Sequence, residues 1–162
     1  MEPILRRITP DDSEAVGGII RTVMPEFGAS GEGFAIHDSE VNDMYAAYNT
    51  TGTAYYVWEE NGRIIGGGGV GPLAGASPEI CELKKMYLLP EARGRGLGAK
   101  LLGTCLQAAR TLGYRQCYLE TFHTMKSAMQ LYERFGFKRI PGSLGNTGHF
   151  GCDIFYSLDL DR

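Results

Sequence analysis

The residues with the clearest chemical potential form one short stretch, from Pro90 to Lys100. It reads Pro-Glu-Ala-Arg-Gly-Arg-Gly-Leu-Gly-Ala-Lys and joins a predicted strand to the start of a predicted helix. Glycines let the backbone turn so that several N–H groups point into one space, and the helix N-terminus adds partial positive charge. Arg93, Arg95 and Lys100 add full positive charges. The stretch is therefore predicted to bind a phosphate or pyrophosphate group.

Two common nucleotide-binding motifs do not fit this stretch. The dinucleotide pattern G-x-G-x-x-G fails because Leu101 stands where its last glycine belongs. The P-loop pattern G-x-x-x-x-G-K-(S/T) fails because no Gly-Lys-Ser or Gly-Lys-Thr occurs here. Taken alone, the stretch therefore leaves a second interpretation open, a glycine-rich turn beside a solvated basic surface.

The hydrophobic pattern predicts the elements that position this stretch. A strand over 82–89 precedes it and ends at Pro90, and a long amphipathic helix begins at Gly96 and stops at Gly113. The other predicted elements are, in chain order, a strand over 4–8, a helix opened by Thr9, a helix capped by Asp38 or Ser39, strands over 54–59 and 63–70 joined by the hairpin signal Asn61-Gly62, a strand over 115–122, a helix ended by Gly136, and strands over 137–140 and 153–158.

The predicted order is therefore β-α-α-β-β-β-α-β-α-β-β. The chain has 162 residues and shows no repeat, low-complexity tract or linker. This indicates a single domain over residues 1–162, of the α/β class (α+β type), with a mixed central β-sheet flanked by helices.

Three segments resemble the GNAT superfamily of N-acetyltransferases. Arg93-x-x-Gly96-x-Gly98 matches its pyrophosphate loop, (Q/R)-x-x-G-x-(G/A), and the segment 82–90 is similar to its central strand. Ala128-x-x-Leu131-Tyr132-x-x-x-Gly136-Phe137 resembles its later helix-to-strand signature. The segments occur in the family's order, and the element order agrees over essentially the whole chain. One departure is Met125, where many members have an asparagine that contacts the cofactor.

The resemblance implies acetyl-CoA as the co-substrate and a primary amine as the acceptor. It implies that the central strand splays from its neighbour, so that the pantetheine arm lies in the gap and pairs with free backbone groups. The step from Leu83 to Met86 breaks strict alternation, which favours a β-bulge there; a strand buried on both faces is the alternative. The residues implied to bind the cofactor are Met86, Tyr87, Leu88, Arg93, Gly94, Arg95, Gly96, Leu97, Gly98, Ala99, Lys100 and Tyr132.

The chemistry requires a base, a donor to the carbonyl oxygen and an acid. Glu82 is the first candidate for the base, acting directly or through water, and Glu120 is the second. The backbone N–H of Leu88 is the candidate donor. Tyr132 matches the family's tyrosine near the thioester sulfur and is assigned as general acid. Glu82 as a surface or ion-paired carboxylate and Tyr132 as simple helix packing remain alternatives.

His149 is a further candidate for substrate contact. It lies in the glycine-rich stretch 142–151, and an ordinary loop histidine is the competing interpretation.

Charge is unevenly distributed along the chain. No Lys or Arg occurs between Arg21 and Arg63, and that interval contains Glu26, Glu32, Asp38, Glu40, Asp43, Glu59 and Glu60. Lys84 and Lys85 are expected to join Arg93, Arg95 and Lys100 near the phosphates of the cofactor. An acidic rim beside a basic groove would attract a small cationic amine, whereas ordinary solvated acidic helices are the alternative.

Composition narrows the remaining classes. A net charge of −3, from 16 basic and 19 acidic residues, argues against a general nucleic-acid binder. No run of 18 apolar residues predicts a membrane span, and the first residues show no secretory signal. No C-x-x-C pair occurs, and His149-x-x-Cys152 has no second pair of ligands nearby, so no metal site is predicted. Free thiols in a reducing cytoplasmic setting are expected.

Two other functions stay open from the sequence. One is a non-catalytic module that binds an acyl-CoA or a nucleotide, and the other is a transferase of a longer acyl group. The acceptor is a small molecule or a peptide amine, and the resemblance leaves a homodimer open.

Overall fold

The computed structural model describes residues 2–161, and a seven-stranded mixed sheet forms its centre. The elements are β1 (Ile4–Arg7), α1 (Ser13–Glu26), α2 (Met44–Ala47), β2 (Ala54–Glu60), β3 (Arg63–Pro72), β4 (Ile80–Leu88), α3 (Leu97–Thr111), β5 (Gln116–Thr121), α4 (Lys126–Arg134), β6 (Lys138–Ile140) and β7 (Ile154–Asp159). The strands lie in the order β1-β2-β3-β4-β5-β7-β6. Within residues 2–161, β4 and β5 are the parallel pair and the other neighbours are antiparallel. The predicted fold class and element order are confirmed.

The second predicted helix is wrong in its length and its cap. A 3-10 turn spans Ser39–Asn42, and α2 is a single helical turn. The cap is Asp43, whose Oδ1 accepts a hydrogen bond from the N–H of Ala46 at 3.1 Å. Asp, Asn and Ser side chains compete for backbone groups, which favours such caps and turns over a continuous helix.

The start of the first helix also differs from the prediction. Thr9 opens a 3-10 turn over Pro10–Asp12, and the α-helix begins only at Ser13. The predicted acceptor is present, because a carboxylate oxygen of Asp12 lies 2.7 Å from the N–H of Thr9.

The hairpin between β2 and β3 confirms the Asn-Gly signal. Asn61 and Gly62 have φ angles of 52° and 77°, the left-handed backbone that a two-residue type I′ turn requires.

The sheet is buried on both faces, as alternate residues of β2 show. Ala54 and Trp58 pack in the core formed with α3, whereas Tyr55 and Val57 pack in the core formed with α1 and α2. The buried face of α3 consists of Leu97, Leu101, Leu102, Cys105, Leu106 and Ala109. No helix in the described part of the chain is both long and apolar enough to cross a membrane.

Candidate active site

A gap opens in the sheet where β4 and β5 stop pairing. Within residues 2–161 their parallel pairs end at Glu82 opposite Tyr118, although β4 continues to Leu88 and β5 to Thr121. A cavity of about 50 Å³ lies in this gap. The splay that the resemblance implied is therefore present, and it places an opening beside the edge of β4.

A bulge in β4 determines how the strand faces this gap. Gly67 pairs with Tyr87 and Gly69 pairs with Lys84, so two steps along β3 oppose three along β4. Lys85 takes the extra position with a left-handed φ of 52°. The predicted bulge is confirmed.

The backbone N–H of Leu88 points into the gap. The next residue, Leu89, donates its N–H to the carbonyl of Ile65 on β3 at 2.9 Å. Because successive N–H groups of a strand point to opposite edges, the N–H of Leu88 faces the side that β5 has left. The side chain of Leu88 lies over Gly66, where an added Cβ would come within 2.3 Å of its Cδ2.

The glycine-rich loop after β4 forms a cradle of backbone donors. Gly94 and Gly96 have φ angles of 71° and 78°, and Gly96 is the N-cap of α3. No hydrogen bond within residues 2–161 uses the backbone N–H groups of 94–99. A Cβ added at Gly94 or Gly96 would meet no atom within 4 Å, so the space beside the loop is open. Free N–H groups at the positive end of a fifteen-residue helix suit a pyrophosphate.

The arginines of this loop are already engaged by the protein. Arg93 donates from Nε to the carbonyl of Leu88 at 3.1 Å and from its terminal nitrogens to Glu26 at 2.5 and 3.1 Å. Arg95 forms an ion pair with Glu60. Arg93 thereby joins the end of β4 to α1, and the backbone of the loop supplies the free donors.

Lys84 and Lys85 do not extend this basic group, which corrects the expectation from sequence. The Lys85 ammonium is buried and lies 2.7 Å from Asp38 and 2.5 Å from Glu40. Lys84 lies 3.3 Å from Glu40. The bulge turns this part of β4 toward the acidic segment rather than toward the loop.

Glu82 ends the paired part of β4 and borders the cavity. Glu82 is only 6% exposed, and its carboxylate makes no hydrogen bond within residues 2–161. Burial raises its pKa to about 7; the charge of Glu120 adds to the rise, whereas Lys84 and His149 oppose it. Glu82 is therefore neither a surface carboxylate nor half of a direct ion pair, and it titrates near neutral pH.

His149 and Glu120 face Glu82 across the cavity. His149 Nε2 lies 2.8 and 2.9 Å from the Asp38 carboxylate oxygens, and Nδ1 lies 3.6 Å from Glu120. Burial lowers the pKa of His149, but its hydrogen bonds to Asp38 and the nearby Glu120 carboxylate prevail and raise the pKa to about 9. Burial likewise favours a neutral Glu120, yet contacts from His149, Thr147 and Tyr118 hold its pKa below the ordinary value.

The cluster contains donor types that metals accept. A carboxylate oxygen from each of Glu82 and Glu120 and a nitrogen of His149 lie within 4.8 Å of one another. Both ring nitrogens of His149 already face carboxylates, and its raised pKa keeps the imidazole protonated at neutral pH. Because a metal requires the neutral ring, this arrangement suits the handling of protons better than the binding of a metal.

Tyr132 borders the same cavity. The ring packs against Phe137 and Tyr156, with centroids 5.9 and 6.1 Å away, and the hydroxyl makes no hydrogen bond within residues 2–161. Burial raises its pKa well above the ordinary value, so the phenol stays protonated and can donate. Met125, which replaces the family's usual asparagine, also borders the cavity.

Sequence reasoning missed the partnership of His149 with Asp38. The two residues are separated by 111 positions, and each lies in a segment without regular secondary structure. The sequence predicts Asp38 as a possible helix cap. For His149 it leaves two interpretations open, a contact with the substrate and an ordinary loop histidine. The signal for this contact in the sequence was a histidine isolated in a glycine-rich loop. The sequence could not identify its partner, because the conformation of a loop depends on tertiary contacts.

Comparisons with known proteins agree with this geometry. The sequence model of the acetyltransferase (GNAT) family matches residues 12–137. An Escherichia coli K12 relative, described as the uncharacterized N-acetyltransferase YjgM, is 42% identical over 153 residues, which cover 94% of this chain and 92% of the relative. An uncharacterized N-acetyltransferase of Schizosaccharomyces pombe is 32% identical over 129 residues, covering 80% and 78%.

Solved structures share the fold. A GNAT-family acetyltransferase from Staphylococcus aureus Mu50 superposes with a TM-score of 0.87 at 19% identity, covering 99% of this chain and 100% of that chain. YncA from Salmonella typhimurium, described as a putative acetyltransferase with its cofactor acetyl-CoA, has a TM-score of 0.79 at 23% identity, covering 99% and 95%.

Proposed function

The chain belongs to the GNAT acetyltransferase family and is an acetyl-CoA-dependent N-acetyltransferase; we propose how its own residues perform the transfer to a primary amine. The observation that carries the proposal is the gap between β4 and β5. At one end of it lies the loop with free N–H groups, and along its edge lies the N–H of Leu88. This continuity supports a path for the cofactor from the pyrophosphate to the acetyl carbonyl.

Backbone groups hold the donor. The N–H groups of 94–99 bind the pyrophosphate, and the free edge of β4 at Met86 to Leu88 pairs with the pantetheine arm. The N–H of Leu88 donates to the acetyl carbonyl oxygen as that oxygen gains negative charge.

Glu82 is the proposed base. A free alkylamine is protonated at neutral pH, since its pKa is about 10.4, and it must lose a proton before it can attack. Glu82 borders both the inner cavity and an outer pocket of about 240 Å³, so its carboxylate lies where an amine would pass. Its pKa of about 7 allows it to accept that proton and to release it to solvent near neutral pH. Glu120 is less suited, because three groups already bind its carboxylate.

Tyr132 is the proposed acid. The amine nitrogen bonds to the acetyl carbon, the carbon–sulfur bond breaks, and the departing thiolate takes the proton of the Tyr132 hydroxyl. The resulting phenolate then regains a proton from water or from the attacking nitrogen, which is positively charged after attack and becomes the neutral amide when it loses that proton. Its unpaired hydroxyl at the cavity supports this role.

The acceptor is proposed as a primary amine without a required second charge. Five of the seven acidic residues between Arg21 and Arg63 form ion pairs within the protein, namely Glu26, Asp38, Glu40, Glu59 and Glu60. Because their partners neutralise them, the acidic segment attracts a cationic amine less than its sequence suggests.

Calorimetric titration with acetyl-CoA, with NAD as the control, tests the donor site. Saturable binding of acetyl-CoA alone is expected, and no binding by cofactor-free protein would refute the proposal. A panel of cationic, neutral and anionic primary amines then tests the acceptor site through release of free thiol. Butyryl-CoA in the same assay tests whether the enzyme also transfers a longer acyl group.

A further inference from the structure

The loop over 141–153 is anchored on the site through a histidine. His149 is the residue of this loop that contacts both Asp38 and Glu120, and its side chain is only 11% exposed. Thr147 adds a 2.6 Å hydrogen bond from its hydroxyl to Glu120, and the N–H of Gly151 donates to the carbonyl of Gly33 at 2.9 Å. The loop therefore brings a fixed cation to the pair of carboxylates at the end of the β4–β5 pairing.

Without a cation, these two carboxylates would be poorly compatible. Glu82 and Glu120 are both largely buried, and each offers an oxygen within 4.8 Å of the other and of a His149 nitrogen. Two buried like charges at such a distance disfavour each other's ionisation. Tyr118 and Thr147 donate hydrogen bonds to Glu120 and stabilise its ionised form. The repulsion between the two carboxylates therefore disfavours mainly the ionisation of Glu82, which has no hydrogen bond within residues 2–161.

Lysines on β4 supply the other nearby positive charge. Lys84 favours an ionised Glu82 more than His149 does, and Lys85 favours it less. The lysine ammonium groups bond to Glu40 and Asp38, and the imidazolium of His149 likewise bonds to Asp38. The titratable groups that face Glu82 or His149 are Lys84 and Lys85 on β4, Tyr118 and Glu120 on β5, Tyr48 after α2, Asp38 and Glu40 in the segment before it, and Cys152 in the loop. Among these, His149 is the cation held against Glu120 on the opposite side of the cavity.

We propose that His149 is a positioning residue whose imidazolium, anchored by Asp38, keeps Glu82 ionised beside Glu120 and so keeps the base ready. The inference rests on the proposed role of Glu82. His149 is suited to this task because its own pKa of about 9 leaves it charged throughout the range in which Glu82 titrates. It moves no proton itself; it supplies charge and geometry.

Titration of the Glu82 carboxyl tests the proposal without any acceptor. Protein labelled with carbon-13 at glutamate carboxyls is titrated by NMR, and the Glu82 signal is identified by its loss in Glu82→Gln. His149→Gln should raise the Glu82 pKa by about 1 unit, as expected when one close opposite charge is removed. His149→Lys should keep the Glu82 pKa near the wild-type value. An unchanged Glu82 pKa in His149→Gln would overturn the proposal, as would an equal rise in His149→Lys.

Activity provides a second readout, using an amine found in the acceptor screen. His149→Gln should lose about fivefold in kcat/KM at pH 7 and recover at pH 9, because a pKa raised from about 7 to about 8 lowers the ionised fraction of Glu82 at pH 7 from about one half to about one tenth. A merely structural role would lower activity at both pH values and would not be rescued by His149→Lys. His123→Gln is the matched control, because His123 is exposed and its partner within residues 2–161 is Asp153 at the surface.

The two hypotheses fail in different ways. If wild-type protein transfers no acetyl group, the proposed function fails while the NMR titration still decides the role of His149. If His149→Gln does not fold, Asp38→Asn replaces it, because that change removes the anchor of the imidazolium. A Glu82 pKa that stays at the wild-type value in Asp38→Asn would then overturn the proposal.

Discussion

The hydroxyl of Tyr55 on β2 donates a 2.7 Å hydrogen bond to the carbonyl of Lys85 on β4, across the intervening strand β3. Lys85 is the left-handed residue of the bulge, so its carbonyl leaves the regular ladder between β3 and β4. Tyr55 supplies the partner that this buried carbonyl would otherwise lack. The bulge in turn sets which edge of the sheet the N–H of Leu88 faces.

Removal of this hydroxyl should destabilise the protein. Tyr55→Phe is expected to lower the free energy of unfolding by about 1–3 kcal/mol, because the buried carbonyl of Lys85 loses its partner. Denaturant unfolding measures the change. Tyr45→Phe is the control, since the Tyr45 hydroxyl has no hydrogen bond within residues 2–161. Equal stability of Tyr55→Phe and wild type would mean that the bulge does not depend on this bond.

Substitution of a glycine in the glycine-rich loop should weaken acetyl-CoA binding by more than its effect on stability explains. Gly96→Ala should weaken acetyl-CoA binding at least about tenfold, equal to about 1.4 kcal/mol, because its methyl group enters the open space beside the N–H cradle. Gly113→Ala is a matched control, because Gly113 also has a left-handed backbone, with a φ of 92°, and open space around it. Both variants should lose roughly 1–2 kcal/mol of stability. Equal loss of acetyl-CoA affinity in both would contradict the assignment of the loop.

The sequence predicted the elements well because their signals are local. Asn61-Gly62 specifies its own turn, and Gly96 marks the start of a helix whose apolar spacing is visible in the chain. The odd step from Leu83 to Met86 even predicted the bulge. The prediction for the second helix was wrong because Asp43, rather than Asp38, caps this helix after a 3-10 turn.

The electrostatics of the site could not be predicted in the same way. The ion pairs of Lys85 with Asp38 and Glu40 join residues 45 to 47 positions apart, so the sequence alone suggested free charges where the fold pairs them. The contact of His149 with Asp38 has the same origin. A count of charges along the chain shows how many there are, whereas the folded structure determines which of them form ion pairs.

The unpaired phenol at the cavity predicts a selective loss of turnover. Tyr132→Phe should keep its affinity for acetyl-CoA and lose about 10²-fold in kcat, the low end of general acid catalysis. Tyr156→Phe is the comparison, because its ring lies beside Tyr132 while its hydroxyl bonds to Glu133. Calorimetry and steady-state thiol release separate the two effects. Full kcat in Tyr132→Phe would assign the acid to another group.

The rate should depend on pH through Glu82. Its pKa of about 7 means that the carboxylate form, which is the base, gains population as the pH rises through neutrality. The value of kcat/KM is therefore expected to rise across pH 7, and Glu82→Gln should abolish the rise. Glu120 cannot produce this limb, because its pKa lies below the ordinary value and it is ionised throughout. A rise that persists in Glu82→Gln would refute the assignment.

The same carboxyl should make the protein less stable at alkaline pH. The folded-state pKa of Glu82 is about 7, whereas its ordinary value is 4.5, so the folded state holds the proton more tightly than the unfolded state. The stabilisation from this linkage is fully present below about pH 4.5 and is lost as the pH rises through about 7. Glu82→Gln cannot ionise and should therefore be more stable than wild type at pH 8.5, by up to about 3 kcal/mol, with a much smaller difference at pH 5.

Denaturant unfolding at pH 5 and pH 8.5 measures this difference, with Glu79→Gln as an exposed control. An equal effect of Glu82→Gln at both pH values would show that the carboxyl is not strained by burial. A gain in stability at pH 8.5 together with loss of acetyl transfer would be the pattern expected of a group retained for chemistry. At an apolar core position that serves packing alone, a polar substitution would instead lower the stability of the fold at every pH.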